Sequence, residues 1–192
     1  MGRLTRTVNA PRPADVGRRD GLAYTLWLPT GPPRGGIVIL HGAGSCKESH
    51  YDFARRLIAA GLAAIAFDQR GHGESDGPMD GRTLEDVASI ADVLRSACEV
   101  SDLPLGLRGS SMGGCFALLA APAVNARAVV AIAPASPASM RRALQAGTFQ
   151  LHADVPALDA FLAAQDLHQG RPLIVDWKND AERPWSERVA WR

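Results

Sequence analysis

The sequence predicts an α/β fold with a mostly parallel sheet and helices on both of its faces. Apolar, β-branched runs alternate along the chain with segments of helical periodicity. Those runs, "GGIVILHG" (35–42) and "LAAIAFD" (62–68) above all, are continuously apolar, as strands covered on both faces are. A length of 192 residues suits one domain with a substantial core. With no repeat, linker or low-complexity segment, residues 1–192 read as a single domain.

In chain order, "LAYTLWLPT" (22–30) alternates like a partly exposed strand near the edge of the sheet. The buried strand at 35–42 is followed by a helix in "KESHYDFARRLIAAG", with Phe53, Leu57 and Ile58 on one face and Gly61 as its stop. The strand at 62–68 ends on a carboxylate. "TLEDVASIADVLRSA" opens with the pattern of a capping box, Thr83 accepting from the first turn and Asp86 reaching back. Leu84, Val87, Ala91 and Leu94 form its apolar stripe. "PLGLRG" (104–109) is a third central strand, and the helix "SMGGCFALLAA" after it stops at Pro122. "ARAVVAIAPA" (126–135) is a fourth. Residues 136–170 read as a small helical insertion over the site: one helix capped by Ser136 and Pro137 and ended by Gly147, a second at 154–168 with Val155, Leu158, Phe161 and Leu162 at helical spacing. "RPLIVDW" (171–177) is a fifth strand. The last sixteen residues hold three of the four tryptophans and seven charges, unlike anything before them.

Composition excludes several functions. A net charge of +1, with arginines scattered among acids, gives no electrostatic footprint for nucleic acid or an anionic membrane. Cys46, Cys98 and Cys115 are odd in number and widely spaced, which fits neither a disulfide framework nor a metal site. The N-terminus lacks the apolar core of a signal peptide, and no stretch is apolar enough to span a membrane. A cytoplasmic protein with reduced thiols is the expectation.

Chemistry concentrates in two places. Gly109-Ser110-Ser111-Met112-Gly113 is a G-x-S-x-G motif between a predicted strand and a predicted helix, where a nucleophile sits on a sharp, strained turn. Backbones crowd two residues either side of that nucleophile. Centring the motif on Ser111 puts glycine at both positions, whereas centring it on Ser110 puts Arg108 and Met112 there. Ser111 is therefore the exposed serine. His41-Gly42-Ala43-Gly44-Ser45 follows the first buried strand, and its glycines let a backbone N–H approach a reacting carbonyl. The N–H groups of Ala43 and Met112 are the predicted oxyanion donors. "GAGSCKES" lacks the spacing of a phosphate loop. Asp68-Gln69-Arg70-Gly71-His72-Gly73-Glu74-Ser75 contains an acid, an imidazole and a hydroxyl, yet reads as structural: Asp68 at a strand end accepts loop N–H groups, and Gly71 and Gly73 allow tight turns.

The order HGAGS, DQRGHGES, GSSMGG resembles the α/β-hydrolase superfamily, in particular its small bacterial esterase, serine-aminopeptidase-like and dienelactone-hydrolase-like members. The resemblance spans roughly residues 20–175. It implies a nucleophile at Ser111, an oxyanion hole at Ala43 and Met112, and hydrolysis of a small ester, thioester or amide. It implies no metal or organic cofactor, and a small-molecule acyl substrate as the partner.

A serine hydroxyl needs a hydrogen-bonded base that is itself oriented by a third group. The resemblance implies the chain order Ser, then Asp or Glu, then His. "PLIVDWKNDAERP" supplies the acid as Asp180, with Asp176 as second choice. The implied base has no counterpart, since no histidine lies beyond His168. His41 and His72 sit in motif loops with structural explanations, His50 starts a surface helix, and His152 and His168 lie in the insertion. Three readings stay open: a truncated or frame-shifted hydrolase without its last strand and helix, a non-catalytic relative that binds a small ligand or partner, or a hydrolase using an imidazole from the insertion. The strand at 171–177, left as an edge, leads us to expect self-association and low turnover.

Overall fold

The computed structural model describes residues 12–100, 102–149 and 151–165. Six strands form one sheet in the order β1-β2-β4-β3-β5-β6: β1 (Asp15–Arg19), β2 (Leu22–Trp27), β3 (Gly36–Leu40), β4 (Ala63–Phe67), β5 (Leu105–Ser110) and β6 (Ala128–Ile132). β4, β3, β5 and β6 run parallel, and β1 and β2 are antiparallel to their neighbours. A 3₁₀ turn (Lys47–His50) leads into α1 (Tyr51–Ala59); α2 (Thr83–Cys98), α3 (Met112–Ala120), α4 (Pro137–Gln145) and α5 (Val155–Ala164) follow.

The period-two alternation of the buried strands explains how both faces are covered. Trp27, Ile39, Ala64 and Ala66 point to one face, where Tyr51, Phe53, Leu57 and Ile58 of α1 close over them. Leu26, Val38, Leu40, Ile65 and Phe67 point to the other, into the larger core built with α2 and α3. Buried on both sides, these strands carry almost no polar residue.

Three expectations need correction. The strand at 22–30 is not partly exposed: every residue of β2 is buried, Leu22, Tyr24 and Leu26 in the larger core and Trp27 against Tyr51 of α1, while β1 pairs along its edge. "DVGRR" escapes a reading by hydrophobic pattern, since its one apolar side chain, Val16, is exposed. The signal was in the connection. Asp20 and Gly21 both have positive φ, 51° and 81°, as a two-residue hairpin turn requires, and Asp-Gly is among its preferred sequences. The capping box does not form. α2 begins at Thr83 with no side-chain cap, and the Asp86 carboxylate takes Nε and Nη2 of Arg70 instead, both at 2.9 Å. In α5, which Asp154 caps by accepting from the Ala157 N–H, Leu158 and Leu162 are buried but Val155, in the first turn, is exposed.

The other elements of residues 12–165 form where the pattern put them, including the Ser136 cap, which accepts from the Ser139 N–H. The strand at 171–177 lies outside the described residues. The topology has a switch point: from β3 the chain goes first to β4 on one side and later to β5 on the other, and it is outside the carboxyl ends of such strands that open α/β sheets bind ligands.

Candidate active site

Ser111 stands between β5 and α3 with φ 50° and ψ −119°, and it is exposed where Ser110 is half-buried. That backbone conformation costs a non-glycine residue about 1–3 kcal/mol, and its surroundings must hold it in place. They do so through three backbone bonds: Ser111 N–H donates to the Ile132 carbonyl at 3.0 Å, and its own carbonyl accepts from Cys115 and Ala135, each at 3.1 Å. The glycines two residues away are equally constrained. A Cβ at Gly109 would strike the Gly113 backbone, and one at Gly113 would lie 2.5 Å from the Leu40 carbonyl oxygen. The crowding argument that selected Ser111 over Ser110 describes this turn.

The loop after β3 lies against that turn. A Cβ on Gly42 would be 3.5 Å from the Ser111 Cβ and 3.3 Å from the Ser110 carbonyl oxygen. Among the described residues, neither the Ala43 N–H nor the Met112 N–H meets an acceptor. Met112 is the first residue of α3, where such N–H groups are left open by helix geometry. Beneath the loop, the fully buried imidazole of His41 donates from Nδ1 to the Gly42 carbonyl at 2.7 Å and accepts at Nε2 from the Gln69 N–H at 3.0 Å. A carbonyl can only accept and an amide can only donate, so the ring is the neutral Nδ1–H tautomer. Burial pushes its pKa down to about 4.

The loop after β4 is structural. The Asp68 carboxylate accepts from the Lys47 N–H (2.7 Å), the Glu74 N–H (2.9 Å) and the Lys47 ammonium (2.8 Å). Gly71 and Gly73 have φ of 75° and 51°, and a Cβ on Gly73 would strike the Asp68 carboxylate. The Ser75 hydroxyl donates to the Asp68 carbonyl and accepts from the Ala23 N–H, while His72 Nδ1 donates to the Arg70 carbonyl.

Several residues here were missed from sequence. Lys47 reads as the polar start of a helix but is 2% exposed. Burial works against its charge, yet hydrogen bonds to Asp68, Glu48 and Glu74 outweigh burial and raise its pKa. His50 stands at the start of α1, as expected, but its ring is not solvated. It is half-buried and accepts from Arg108 at 2.9 Å, and burial, then the guanidinium, push its pKa down to about 4. Cys115 packs inward as expected, its thiol pushed up to about 12 by burial.

Three of the four described imidazoles are thus committed to other partners. The fourth, His152, is exposed, and its carbonyl bonds the Met79 N–H. Asp180, Asp176 and His168 lie outside the described residues. Among the described residues no cluster of His, Cys, Asp and Glu could hold a metal ion, and no helix is long and apolar enough to cross a membrane.

This arrangement has known counterparts. The family profile described as serine aminopeptidase, S33 (Hydrolase_4) matches residues 31–163. Human monoglyceride lipase is 36% identical over 100 residues, covering 50% of this chain and 32% of the lipase. A monoacylglycerol lipase of Mycolicibacterium smegmatis is 33% identical over 124 residues, covering 55% and 44%. The chain thus spans less than half the length of these curated relatives. Among solved structures, a soluble variant of monoglyceride lipase from Saccharomyces cerevisiae superposes with a TM-score of 0.57 at 24% identity, covering 67% of this chain and 46% of that one. An α/β serine hydrolase without lid from Xanthomonas campestris gives 0.52 at 24% identity, covering 60% and 56%. These two likenesses concern the fold, which is the one the ordered motifs predict. With the profile running through all three motifs, the chain belongs to the serine aminopeptidase S33 family of α/β hydrolases.

Proposed function

We propose that the chain carries the nucleophile and oxyanion hole of a serine-type acyl hydrolase acting on small carboxylic esters. The observation that carries this reading is the strained, exposed Ser111 at the carboxyl end of a central strand, with two N–H groups beside it, at Ala43 and Met112, that meet no acceptor among the described residues. In this reading the Ser111 Oγ attacks the ester carbonyl carbon as its proton passes to a base. The carbonyl oxygen becomes an oxyanion held by the Ala43 and Met112 N–H groups. Collapse expels the alcohol with that proton and leaves an acyl-serine, which water hydrolyses to the acid and free Ser111. The lipase names of the relatives suggest monoacylglycerols as the first substrate class to test; thioesters and amides share the chemistry.

The base is the part this chain supplies least. His41, His50 and His72 are held by backbone or guanidinium groups, which leaves His152 and His168, and Asp180 or Asp176 as the orienting acid. We therefore expect slow turnover from the 192-residue chain. An oxyanion hole and binding alone retain roughly 10³–10⁴-fold catalysis over water when a triad member is missing. The same observation favours a second reading, ligand binding without turnover.

A fluorophosphonate probe and p-nitrophenyl butyrate separate the two. The hydrolase reading predicts labelling and hydrolysis that vanish in Ser111→Ala and persist in Ser110→Ala. A chain that neither labels nor hydrolyses supports the binding reading, and labelling retained in Ser111→Ala overturns the assignment of the nucleophile. A collapse of turnover in His152→Ala or His168→Ala would identify the base.

A further inference from the structure

The His41 ring faces the backbone of the loop beside Ser111. Its Nδ1–H holds the Gly42 carbonyl at 2.7 Å, and that carbonyl also takes the Ser45 N–H at 3.2 Å. Gln69 grips His41 at two points, its N–H on Nε2 at 3.0 Å and its side-chain Nε2 on the His41 carbonyl at 2.7 Å. The Gly42 C=O and the Ala43 N–H belong to one planar trans peptide and point in opposite directions. Fixing the carbonyl therefore fixes the amide. Gly42 has no side chain to restrict its own rotation, so the peptide after it needs an outside anchor.

We propose that His41, clamped by Gln69, is a positioning residue that aims the Ala43 N–H across the reacting serine, an inference that rests on the oxyanion role given to Ala43 above. The imidazole touches no substrate. It acts through the Gly42–Ala43 peptide, and its burial as a neutral ring keeps the Nδ1 proton available for that one bond.

Two substitutions separate this role from general support of the fold. In His41→Asn the side-chain amide nitrogen occupies the place of Nδ1 and keeps the bond to Gly42. In His41→Gln the amide reaches the place of Nε2, keeping the Gln69 contact and losing Gly42. Each gives up one ring hydrogen bond, so their losses of melting temperature should match. The expected result is a kcat about 10- to 100-fold lower for His41→Gln, with KM unchanged, and a kcat near the starting value for His41→Asn. Equal kcat values for the two variants would overturn the proposal. ¹H–¹⁵N spectra test it without turnover. The unsubstituted chain should show the Nδ1–H tautomer at His41, and the Ala43 amide peak should move or broaden in His41→Gln and stay in His41→Asn. An Nε2–H tautomer, or an Ala43 peak indifferent to both variants, overturns the proposal. If hydrolysis by the unsubstituted chain does not depend on Ser111, the reading of function fails, and the spectra still decide whether His41 sets the Ala43 amide.

Discussion

The loops that leave β4 and β5 start from similar materials and end in opposite states. After β4, residues 68–75 include an acid, an imidazole, a hydroxyl and two glycines, the ingredients of a hydrolytic site. Nearly all of that hydrogen-bonding capacity is spent internally: Asp68 takes two loop N–H groups and the Lys47 ammonium, and Ser75 both donates and accepts. Gln69 Oε1 and His72 Nε2, buried without a partner among the described residues, are the exceptions. After β5, the turn at 109–113 has one serine in a strained conformation and exposed, and among the described residues neither the Met112 N–H nor the Ala43 N–H in the adjoining loop meets an acceptor. Residue types do not distinguish a site from a scaffold here. In the function proposed above, unspent polar capacity at a conformation the fold has to enforce is what marks the 109–113 turn.

The largest effect on stability should come from breaking the satisfied loop. Asp68→Asn leaves the buried Lys47 ammonium with only Glu48 and Glu74, both largely exposed, and should cost about 3–5 kcal/mol; the midpoint of urea unfolding measures it. A midpoint within error of the parent would mean that the internal pairing does not hold the loop. Acid should act next, through His41. Its folded pKa lies near 4 against an ordinary 6.5, so between those values the unfolded chain binds more protons than the folded one. Stability should therefore fall as pH drops from about 6.5 to about 4, by an amount on the order of 2–3 kcal/mol. His50 contributes in the same direction. Unfolding curves at pH 7 and pH 4.5 test this, and His41→Asn should flatten the difference. On the strained side, Gly113→Ala pushes a methyl into the Leu40 carbonyl and should cost about 1–3 kcal/mol. Fluorophosphonate labelling should slow along with the fall in melting temperature; normal labelling would show that the crowding leaves Ser111 untouched. Smallest of all, Ser110→Ala should change stability by no more than about 0.5 kcal/mol and leave labelling intact, since its hydroxyl belongs to neither system.

Sequence reading succeeded where a local rule governs the outcome. The buried strands, the Ser136 cap and the crowding at Gly109 and Gly113 each follow from a few adjacent residues and a steric or periodic constraint. It failed where a partner comes from far along the chain. Thr83 and Asp86 have the spacing of a capping box, but Arg70, sixteen positions away, offers Asp86 a two-point guanidinium contact that a helix N-terminus cannot match. Lys47 looks solvated until β4 delivers Asp68 beside it, and His50 until β5 delivers Arg108. β1 was missed because an outermost strand needs no apolar pattern; only its Asp20-Gly21 turn announces it.

The strand order also has a consequence in time. β3 sits at the middle of the sheet, pairing with β4 soon after it in the chain and with β5 only after the whole of α2 has intervened, Gly36 lying opposite Leu105. Closing that long loop must precede the contacts that reward it, and such non-local pairing slows folding. The β1–β2 hairpin can form within its own few residues. The turn bearing Ser111 depends on β5 docking against β3 and on β6 arriving to accept the Ser111 N–H. The strained turn at Ser111 is thus among the last features of the chain to form, and a chain caught early in folding would be mostly sheet edge with no such turn at all.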